Sequence, residues 1–428
     1  MNAFFWPRRK PSKEIVLKVD ELLTRLFPDE DFEDALAPKS GGANRESGES
    51  IAPVVDTTEE CKPRARIESM DAAETDDADA DADANGHHVS HDDASEQSGE
   101  EEPREKSIPE ELEHLWAKIR SIFQAWDEDQ VERERKMNRM AELLLRFRVL
   151  EKTLLPKVLM AMTFETRKYV GHVFRALTVH GFQNFIEYVG DRPEIMRWLV
   201  EGYKNNSTAL ICGSMLRDCL DHQVLTTMFL KDMSSELEVL FKVTKTNANF
   251  DVSADAFRNI TKVLRGHKQA TLETLSESFD RIFGLLNSLL ESTNYVTKRQ
   301  TLQLLGELLL DPINFSVMQR YVASRANLKL LMLQLRETSQ AIRMEAYNVF
   351  KIFVANPNKS PEVEQVLVRN REKLLAFVCE LGKNETSREF HHEKSLVVYS
   401  LQRLAGGAVA AVVDKPVNAD ASSSATSP

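Results

Sequence analysis

The residues with the most suggestive spacing for chemistry lie in an Asp-Ala repeat near position 85. Five of them match positions 1, 3, 5, 6 and 12 of an EF-hand calcium loop: Asp81, Asp83, Asn85, Gly86 and Asp92. An EF-hand also needs an apolar residue at position 8 and an amphipathic helix on each side. His88 stands at position 8, and the flanking sequence is polar. Because an Asp-Ala repeat produces this spacing readily, the sequence predicts no metal site, and the nearby His87 and His91 indicate only adventitious binding.

Motifs for enzymatic chemistry are missing from the sequence. It contains no G-x-S-x-G elbow, no P-loop and no G-x-G-x-x-G stretch, and the run His391-His392-Glu393 is not an H-E-x-x-H motif. The sequence therefore predicts a protein that is not an enzyme and that has no cofactor.

The charge of the chain is concentrated in one segment. The net charge of the 428 residues is −12. Residues 28–107 contain 25 acidic and 7 basic residues, a net of −18, so the remainder carries +6. This remainder is too weakly basic to indicate nucleic acid as a partner. The acidic segment lacks the apolar side chains that a packed core requires, so it is predicted to be a disordered insertion.

Cysteine usage and hydropathy indicate a cytoplasmic protein. The four cysteines form no C-x-x-C pair, and Cys212 and Cys379 lie within apolar runs, which predicts small buried side chains in a reducing compartment. The longest uncharged stretch of small apolar residues, AGGAVAAVV from Ala405, has nine residues. A bilayer requires about 20, so no membrane insertion is expected.

Helical periodicity organises the rest of the chain. It predicts a first helix within an N-terminal segment 1–27, a helical domain 108–404, and a disordered tail 405–428. Five helical segments share a small or short residue at corresponding positions: Gly171, Gly213, Ala256, Thr301 and Ala346. Their spacings of 42, 43, 45 and 45 residues are typical of armadillo and HEAT repeats. We therefore predict an all-α, armadillo/HEAT-like helical-repeat solenoid with the acidic insertion near its N-terminus; a single helix bundle is the alternative.

One predicted helix raises a question about binding. The stretch YVTKRQTLQLLGELLL has leucines on too many sides for one apolar stripe, so we expect it to be buried between neighbouring helices. Its first turn contains Lys298 and Arg299, although cations near a helix N-terminus oppose the helix dipole by a few tenths of a kcal/mol each. An anionic partner surface is one explanation for them.

The same stretch resembles a known family. NYVTKRQTLQLLGELLLD, FKIFVANPNK, FDVSADAF and CGSMLRDC are similar to blocks of the Mo-twenty-five scaffold family, also called the calcium-binding protein 39 family, with HymA-like members in fungi. The resemblance covers roughly residues 108–390 and the first helix. It implies a non-catalytic scaffold that binds Ste-twenty-type protein kinases and pseudokinases and allosterically activates the kinase.

The resemblance also implies two sets of binding residues. On the concave face, the residues that would contact the kinase are Phe250, Tyr295, Lys298, Arg299 and Phe315. In a C-terminal hydrophobic pocket, the residues that would hold a Trp-Glu-Phe-like tail of the partner are Lys329, Met332, Arg369 and Lys373. Spacing alone favours a solvated cation at Arg299. It equally allows Met332 to fill the core and Phe315 to pack as a hydrophobic lid under the loop after Pro312.

Several positions depart from the family pattern. Pro312 and Gln303 stand where basic residues are usual, and Arg369 replaces a lysine, which keeps the charge but changes the hydrogen-bond geometry. These departures leave the identity of the kinase open. The alternative function is a general armadillo adaptor in a polarity or cytoskeletal complex, without kinase activation.

Overall fold

The computed structural model describes residues 12–28, 32–36, 107–124, 129–383 and 385–404, and within these ranges the backbone forms helices and short joints without any strand. The α-helices are α1 Ser12–Leu26, α2 Phe32–Ala35, α3 Ile108–Phe123, α4 Gln130–Arg146, α5 Val149–Leu154, α6 Pro156–Ala161, α7 Phe164–His180, α8 Phe185–Gly190, α9 Glu194–Glu201, α10 Asn206–Leu220, α11 Gln223–Asp232, α12 Ser234–Thr246, α13 Phe250–Gly266, α14 Lys268–Glu277, α15 Phe279–Leu290, α16 Tyr295–Leu310, α17 Phe315–Val322, α18 Arg325–Gln334, α19 Gln340–Ala355, α20 Pro361–Arg369, α21 Arg371–Glu380 and α22 Arg388–Arg403. Three 3-10 helices lie between them: Phe182–Asn184, Gly202–Lys204 and Pro312–Asn314.

The helices repeat in groups of three, and each group packs on the one before it. Helices α7, α10, α13, α16, α19 and α22, which we call the ladder helices, pack against one another in chain order. Helices α11, α14 and α17 form a second series, and α9, α12, α15 and α18 form a third. Such stacking buries the apolar faces that a single repeat would leave exposed. The predicted all-α armadillo-like solenoid is therefore confirmed.

Every ladder helix begins at a capping side chain. In each case the side-chain oxygen of the preceding residue accepts a hydrogen bond from a backbone N–H of the first turn, which would otherwise lack a partner. The capping residues are Thr163, Asn205, Asn249, Asn294, Ser339 and Ser387. These caps fix which residue opens each ladder helix, and therefore which side chains lie at its N-terminal edge.

The small residues that define the sequence repeat are buried where ladder helices cross. Ala256, Thr301 and Ala346 have no exposed surface, and the two glycines are also buried. A Cβ atom on Gly171 would overlap the Ile211 side chain of the next ladder helix, and one on Gly213 would overlap the side chain of Asp255. The small residues therefore recur every 42 to 45 positions because successive ladder helices approach closely at these points.

The N-terminal segment is docked on the helical array. Helix α1 packs on α3, α4 and α5. After it, the side chains of Phe32 and Leu36 are buried, and Arg148 donates a hydrogen bond of 2.7 Å to the carbonyl oxygen of Leu36. Residues 32–36 therefore pack on the array, although they belong to the segment predicted to be a disordered insertion. Residues 29–31 and 37–106 of that segment, and the tail 405–428, lie outside the described residues.

The predicted burial of the cysteines holds for two of them. Cys212 and Cys219 are buried, whereas Cys379 is exposed on α21, so the prediction was wrong for Cys379. The inward positions of α21 are occupied by Leu374 and Val378. One residue further on, the side chain points about 100° away around the helix. Cys61 lies outside the described residues.

Candidate functional site

The N-termini of the ladder helices lie along one edge of the array, which we call the N-terminal edge. Two exposed aromatic side chains lie at this edge. Phe250 and Tyr295 are the first residues of α13 and α16, and 54% and 44% of their surfaces are exposed. Their positions are set by Asn249 and Asn294, whose amide oxygens accept hydrogen bonds from first-turn N–H groups. Because α13 packs against α16, the structure brings these two predicted residues to one edge.

The two cations of α16 lie in different environments. The Lys298 Nζ atom is 2.5 Å from Glu337 Oε1, and only 14% of the lysine side chain is exposed. The Arg299 Nε atom is 3.7 Å from an oxygen of Glu345, and 44% of this side chain is exposed. Lys298 therefore links α16 to the segment before the next ladder helix. Of the two cations, Arg299 has the more accessible charge.

Glu345 also accounts for one departure from the family pattern. The amide nitrogen of Gln303, one turn further along α16 from Arg299, donates a hydrogen bond of 2.7 Å to Glu345. This glutamine therefore contributes to the contact between α16 and α19.

Phe315 lies at the other end of α16. It is the first residue of α17 and is 58% exposed, next to Leu310 and Ile313, which are 55% and 37% exposed. Helix α16 has 16 residues and is about 24 Å long at 1.5 Å per residue. The structure therefore does not bring Phe315 together with Tyr295. The exposure of Leu310 also differs from the expectation that the leucines of this helix are buried, which holds for the other five: Leu302, Leu304, Leu305, Leu308 and Leu309.

The joint between α16 and α17 is held by polar contacts. The Asp311 side chain accepts a hydrogen bond from the Ile313 N–H, and its other oxygen is 2.7 Å from Lys268 Nζ on α14. The hydrogen bond from Lys268 lowers the pKa of the Asp311 carboxyl. The Asn314 amide donates to the Leu308 carbonyl at 2.9 Å. These contacts hold the joint between the two helices in place and therefore fix where α17 begins, with Phe315 as its first residue.

The predicted pocket residues lie on three short helices, α18, α20 and α21. Lys329 is exposed and Met332 is half-buried, one turn apart on α18. Arg369 is the last residue of α20 and Lys373 lies on α21, both exposed. Helix α18 packs against α20, and a single residue separates α20 from α21. The structure thus places three exposed cations on adjoining helices that also carry a partly accessible methionine.

The N-terminal edge contains apolar side chains that sequence reasoning missed. Phe164, the first residue of α7, is 65% exposed, and Leu210 on α10 and Met160 on α6 are 47% and 50% exposed. Phe164 precedes its small residue Gly171 by seven positions, whereas Phe250 and Tyr295 precede theirs by six. An alignment on the capping residue instead of the small residue would have matched Phe164 with them.

The described residues offer little for covalent or metal chemistry. No group of three or more His, Cys, Asp or Glu side chains in these ranges is arranged to hold a metal ion. The calcium-loop candidates around Asp81 lie outside the described residues. Burial raises the pKa of the Cys212 thiol to about 12, so this thiol stays protonated and is a poor nucleophile. None of the helices among the described residues is both long and apolar enough to cross a bilayer.

These features define a helical-repeat protein with exposed apolar and cationic side chains at the ends of its ladder helices. The chain belongs to the Mo25-like family, whose family model matches residues 82–405. The family resemblance predicted from the sequence motifs is therefore confirmed.

Two relatives support the same assignment. The chain is 39% identical over 255 residues to a Mo25-like protein of Schizosaccharomyces pombe, covering 59% of this chain and 77% of the relative. It is 37% identical over 250 residues to a calcium-binding protein 39-like protein of Mus musculus, covering 58% and 73%. A designed armadillo repeat protein in complex with a (KR)4 peptide superposes with a TM-score of 0.36 at 13% identity, covering 57% of this chain and 93% of that one.

Proposed function

We propose that the protein is a non-catalytic, cytoplasmic scaffold that binds a Ste-twenty-type protein kinase, or a kinase together with a pseudokinase, and allosterically activates the kinase. Membership of the Mo25-like family supports the scaffold role. In this proposal the kinase contacts Phe250, Tyr295, Arg299 and Phe315. Lys298 orients the first turn of α16 through its ion pair with Glu337.

The observation that supports this most is the exposure of Phe250 and Tyr295 next to Arg299. Aromatic and arginine side chains are enriched among the residues that dominate binding energy at protein interfaces. Both aromatic residues stand at the start of capped helices, so little backbone freedom is lost when a partner binds. A rigid surface is expected to bind one conformation of a partner better than other conformations.

A second contact would come from the predicted tail pocket. A Trp-Glu-Phe-like tail would place its aromatic side chains near Met332 and its carboxylate near Lys329, Arg369 or Lys373. Burying a Trp and a Phe removes roughly 150–250 Å² each, or about 8–12 kcal/mol before costs. Association and ordering cost about 4–15 kcal/mol, so the tail alone binds at about micromolar strength at best. The kinase body must therefore contribute as well, and two linked contacts reinforce each other through effective concentration.

Activation follows if the two contacts favour one kinase conformation. A scaffold that binds the closed, active-like conformation better than the open one shifts the population towards it. The shift cannot exceed the difference between the two binding free energies. Residues that touch only the closed conformation therefore control activation, whereas the tail pocket controls affinity.

The test uses the full-length chain and a purified Ste-twenty-type kinase. We expect the double variant Phe250→Ala/Tyr295→Ala to lose at least tenfold in kinase affinity, since two interface anchors typically contribute more than 1.4 kcal/mol together. Val224→Ala is the matched control, because Val224 is 68% exposed on α11, which is not a ladder helix. Binding is measured by calorimetry, and kinase activity is measured with and without each scaffold variant.

Three results distinguish the proposals. Loss of binding and activation in the double variant, with the control unchanged, supports the kinase-activating scaffold. Binding without any change in kinase activity favours the adaptor in a polarity or cytoskeletal complex. Equal binding by the double variant and the wild type rules out the N-terminal edge as the kinase contact.

A further inference from the structure

The charges at the contact between α3 and α7 differ from those at contacts between ladder helices. Successive ladder helices form ion pairs in which a cation of one helix meets a carboxylate of its neighbour. Such pairs are Arg175 with Asp218, Arg217 with Asp255, Arg265 with Glu307, and Lys351 with Glu393. Where α3 packs on α7, Arg120 instead lies over Tyr169, with its guanidinium carbon 5.2 Å from the ring centre. This cation of α3 therefore meets an aromatic ring rather than a carboxylate.

Three basic side chains lie along the same face of α7. Lys168, His172 and Arg175 are separated by four and three residues, a spacing that places side chains on one face of a helix. Tyr169 precedes His172 by three residues, so Arg120 reaches this face beside the histidine. We call Arg120, Lys168, His172 and Arg175 the α3–α7 cation cluster. Each of the four side chains is at least partly accessible.

Carboxylates near the cluster balance only part of its charge. Two members have a carboxylate partner: Lys168 with Glu165 at 3.0 Å, and Arg175 with Asp218 of α10 at 3.1 Å. Within the part of the chain that the structure describes, neither Arg120 nor His172 pairs with a carboxylate. Burial and the three neighbouring cations of the cluster lower the pKa of His172. The cluster therefore keeps positive charge that no side chain on these helices balances.

The arginine of the cluster also has donors without acceptors. The Nε atom of Arg120 is buried without a hydrogen-bond partner, and its accessible terminal nitrogens donate to no group among the described residues. Stacking on Tyr169 explains where the guanidinium lies, but the attraction of a ring face for a cation does not replace a hydrogen-bond acceptor. Like charges one helical turn apart also repel each other. An anion between α3 and α7 would accept hydrogen bonds from the terminal nitrogens and reduce this repulsion.

We propose that the α3–α7 cation cluster binds a phosphate group on a serine or threonine side chain of a partner protein. A phosphorylated side chain carries a charge of about −1.5 to −2 and three acceptor oxygens. It can therefore accept hydrogen bonds from Arg120 and His172 together, and the planar guanidinium suits the geometry of a phosphate group. A carboxylate carries a single charge and would balance the cluster less completely. No residue of the proposed kinase contact belongs to the cluster, so this proposal goes beyond that function and can fail without it.

The surroundings favour a single phosphorylated side chain over an anionic membrane. Glu165 and Asp218 flank the cluster and would repel a continuous anionic surface. Arg120 is half-buried where two helices pack, so its ligand must reach between them. Segments that bind anionic lipids usually present about four to eight Lys or Arg side chains together, whereas this cluster has three.

The first experiment follows the His172 ring by nuclear magnetic resonance in the full chain. The probe is a blocked Gly-phosphoserine-Gly tripeptide, and Gly-Ser-Gly is its control. A bound phosphate group favours the charged imidazole, so the phosphopeptide should raise the pKa of His172 by about one unit. The unphosphorylated peptide should leave this pKa unchanged. An unchanged pKa with the phosphopeptide as well would overturn the proposal.

Two variants locate the binding in the cluster. Arg120→Gln should weaken binding of the phosphopeptide by at least about tenfold, and His172→Gln by about threefold at pH 6, as measured from backbone amide shifts. Arg258→Gln is the matched control, because Arg258 is a 66% exposed cation of α13 that lies 4.0 Å from Asp255. His172 is exposed, so its variant tests binding even if Arg120→Gln lowers the thermal unfolding midpoint. Wild-type affinity in both variants would overturn the proposal.

The second experiment identifies the source of the phosphate group. A degenerate library of phosphoserine peptides is captured on the immobilised full chain. The captured peptides are compared with inorganic phosphate and with vesicles that contain phosphatidylinositol bisphosphate. We expect the peptides to bind at least about tenfold more tightly than inorganic phosphate, because residues beside the phosphoserine add contacts. Equal affinity for inorganic phosphate, or binding of vesicles without binding of peptides, would overturn the assignment to a partner protein.

Discussion

Replacing Gly213 by alanine should disrupt the contact between α10 and α13. An alanine Cβ would overlap the Asp255 carboxylate and the Tyr203 hydroxyl. These groups form one buried network, because Tyr203 donates a hydrogen bond of 2.5 Å to Asp255, and Arg217 lies 2.8 Å from the other carboxylate oxygen. Burial and the nearby Asp255 carboxylate raise the pKa of Tyr203, so its hydroxyl remains a donor.

The expected magnitude is the balance of two opposing effects. Alanine is favoured over glycine within a helix by about 1 kcal/mol. Overpacking at a rigid site costs about 1–3 kcal/mol, and losing one hydrogen bond to a buried charge costs about 1.5–3 kcal/mol. The net loss for Gly213→Ala is therefore about 1.5–5 kcal/mol. Displacement of the network should decide the sign, since Asp255 is only 3% exposed and cannot move into solvent.

The assay is urea unfolding followed by far-ultraviolet circular dichroism at 25 °C and pH 7. The midpoint for Gly213→Ala should fall by roughly 1 M. Gly284→Ala in α15 is the control, because no atom lies within 4 Å of the added Cβ. It should raise the midpoint slightly through helix propensity alone. If Gly213→Ala raised the midpoint as the control does, the close approach of α10 and α13 would be refuted.

Two further predictions concern charged side chains at helix contacts. Burial raises the pKa of Asp218 despite its ion pair with Arg175, so the ionised carboxylate destabilises the fold above the folded-state pKa. This penalty disappears as the pH falls from the folded-state pKa to the pKa of the unfolded chain. In urea unfolding, the stability of Asp218→Asn relative to wild type should therefore be higher at pH 7 than at pH 4, and the opposite trend would contradict this sign. Lys298→Ala should lower the free energy of unfolding by about 1.5 kcal/mol through loss of the Glu337 contact, whereas Arg299→Ala should change it by less than about 0.5 kcal/mol; equal effects of the two variants would contradict the distinction.

The sequence predicted the repeats well because they depend on local patterns. The small residue in each segment, of which Gly213 is one, marks a helix crossing. The short helix at Phe32 was missed, because four residues are too few to show helical periodicity. The contact from Arg148 to Leu36 spans 112 positions of the chain, so local sequence could not predict it.

The environment of the candidate site could not be predicted in the same way. Lys298 and Arg299 are adjacent in sequence, and both were assigned to the partner surface. Their difference depends on Glu337 and Glu345, which lie 39 and 46 residues further along the chain. Helical spacing within α16 contains no information about them. A period of about 45 residues tells which helices meet, but not which side chains form pairs.

This difference between adjacent cations suggests how a repeat protein divides its surface between stability and binding. Each ladder helix packs on the next one, and polar side chains at their contact need partners. Pairs such as Gln303 with Glu345 and Lys351 with Glu393 meet this need at corresponding positions of the repeat. Side chains outside those positions, such as Tyr295 at the capped end of α16, can remain exposed without weakening the array. Substitutions at such exposed positions should change partner binding and leave the stability of the fold unchanged. Substitutions at the positions that pair successive ladder helices should change both.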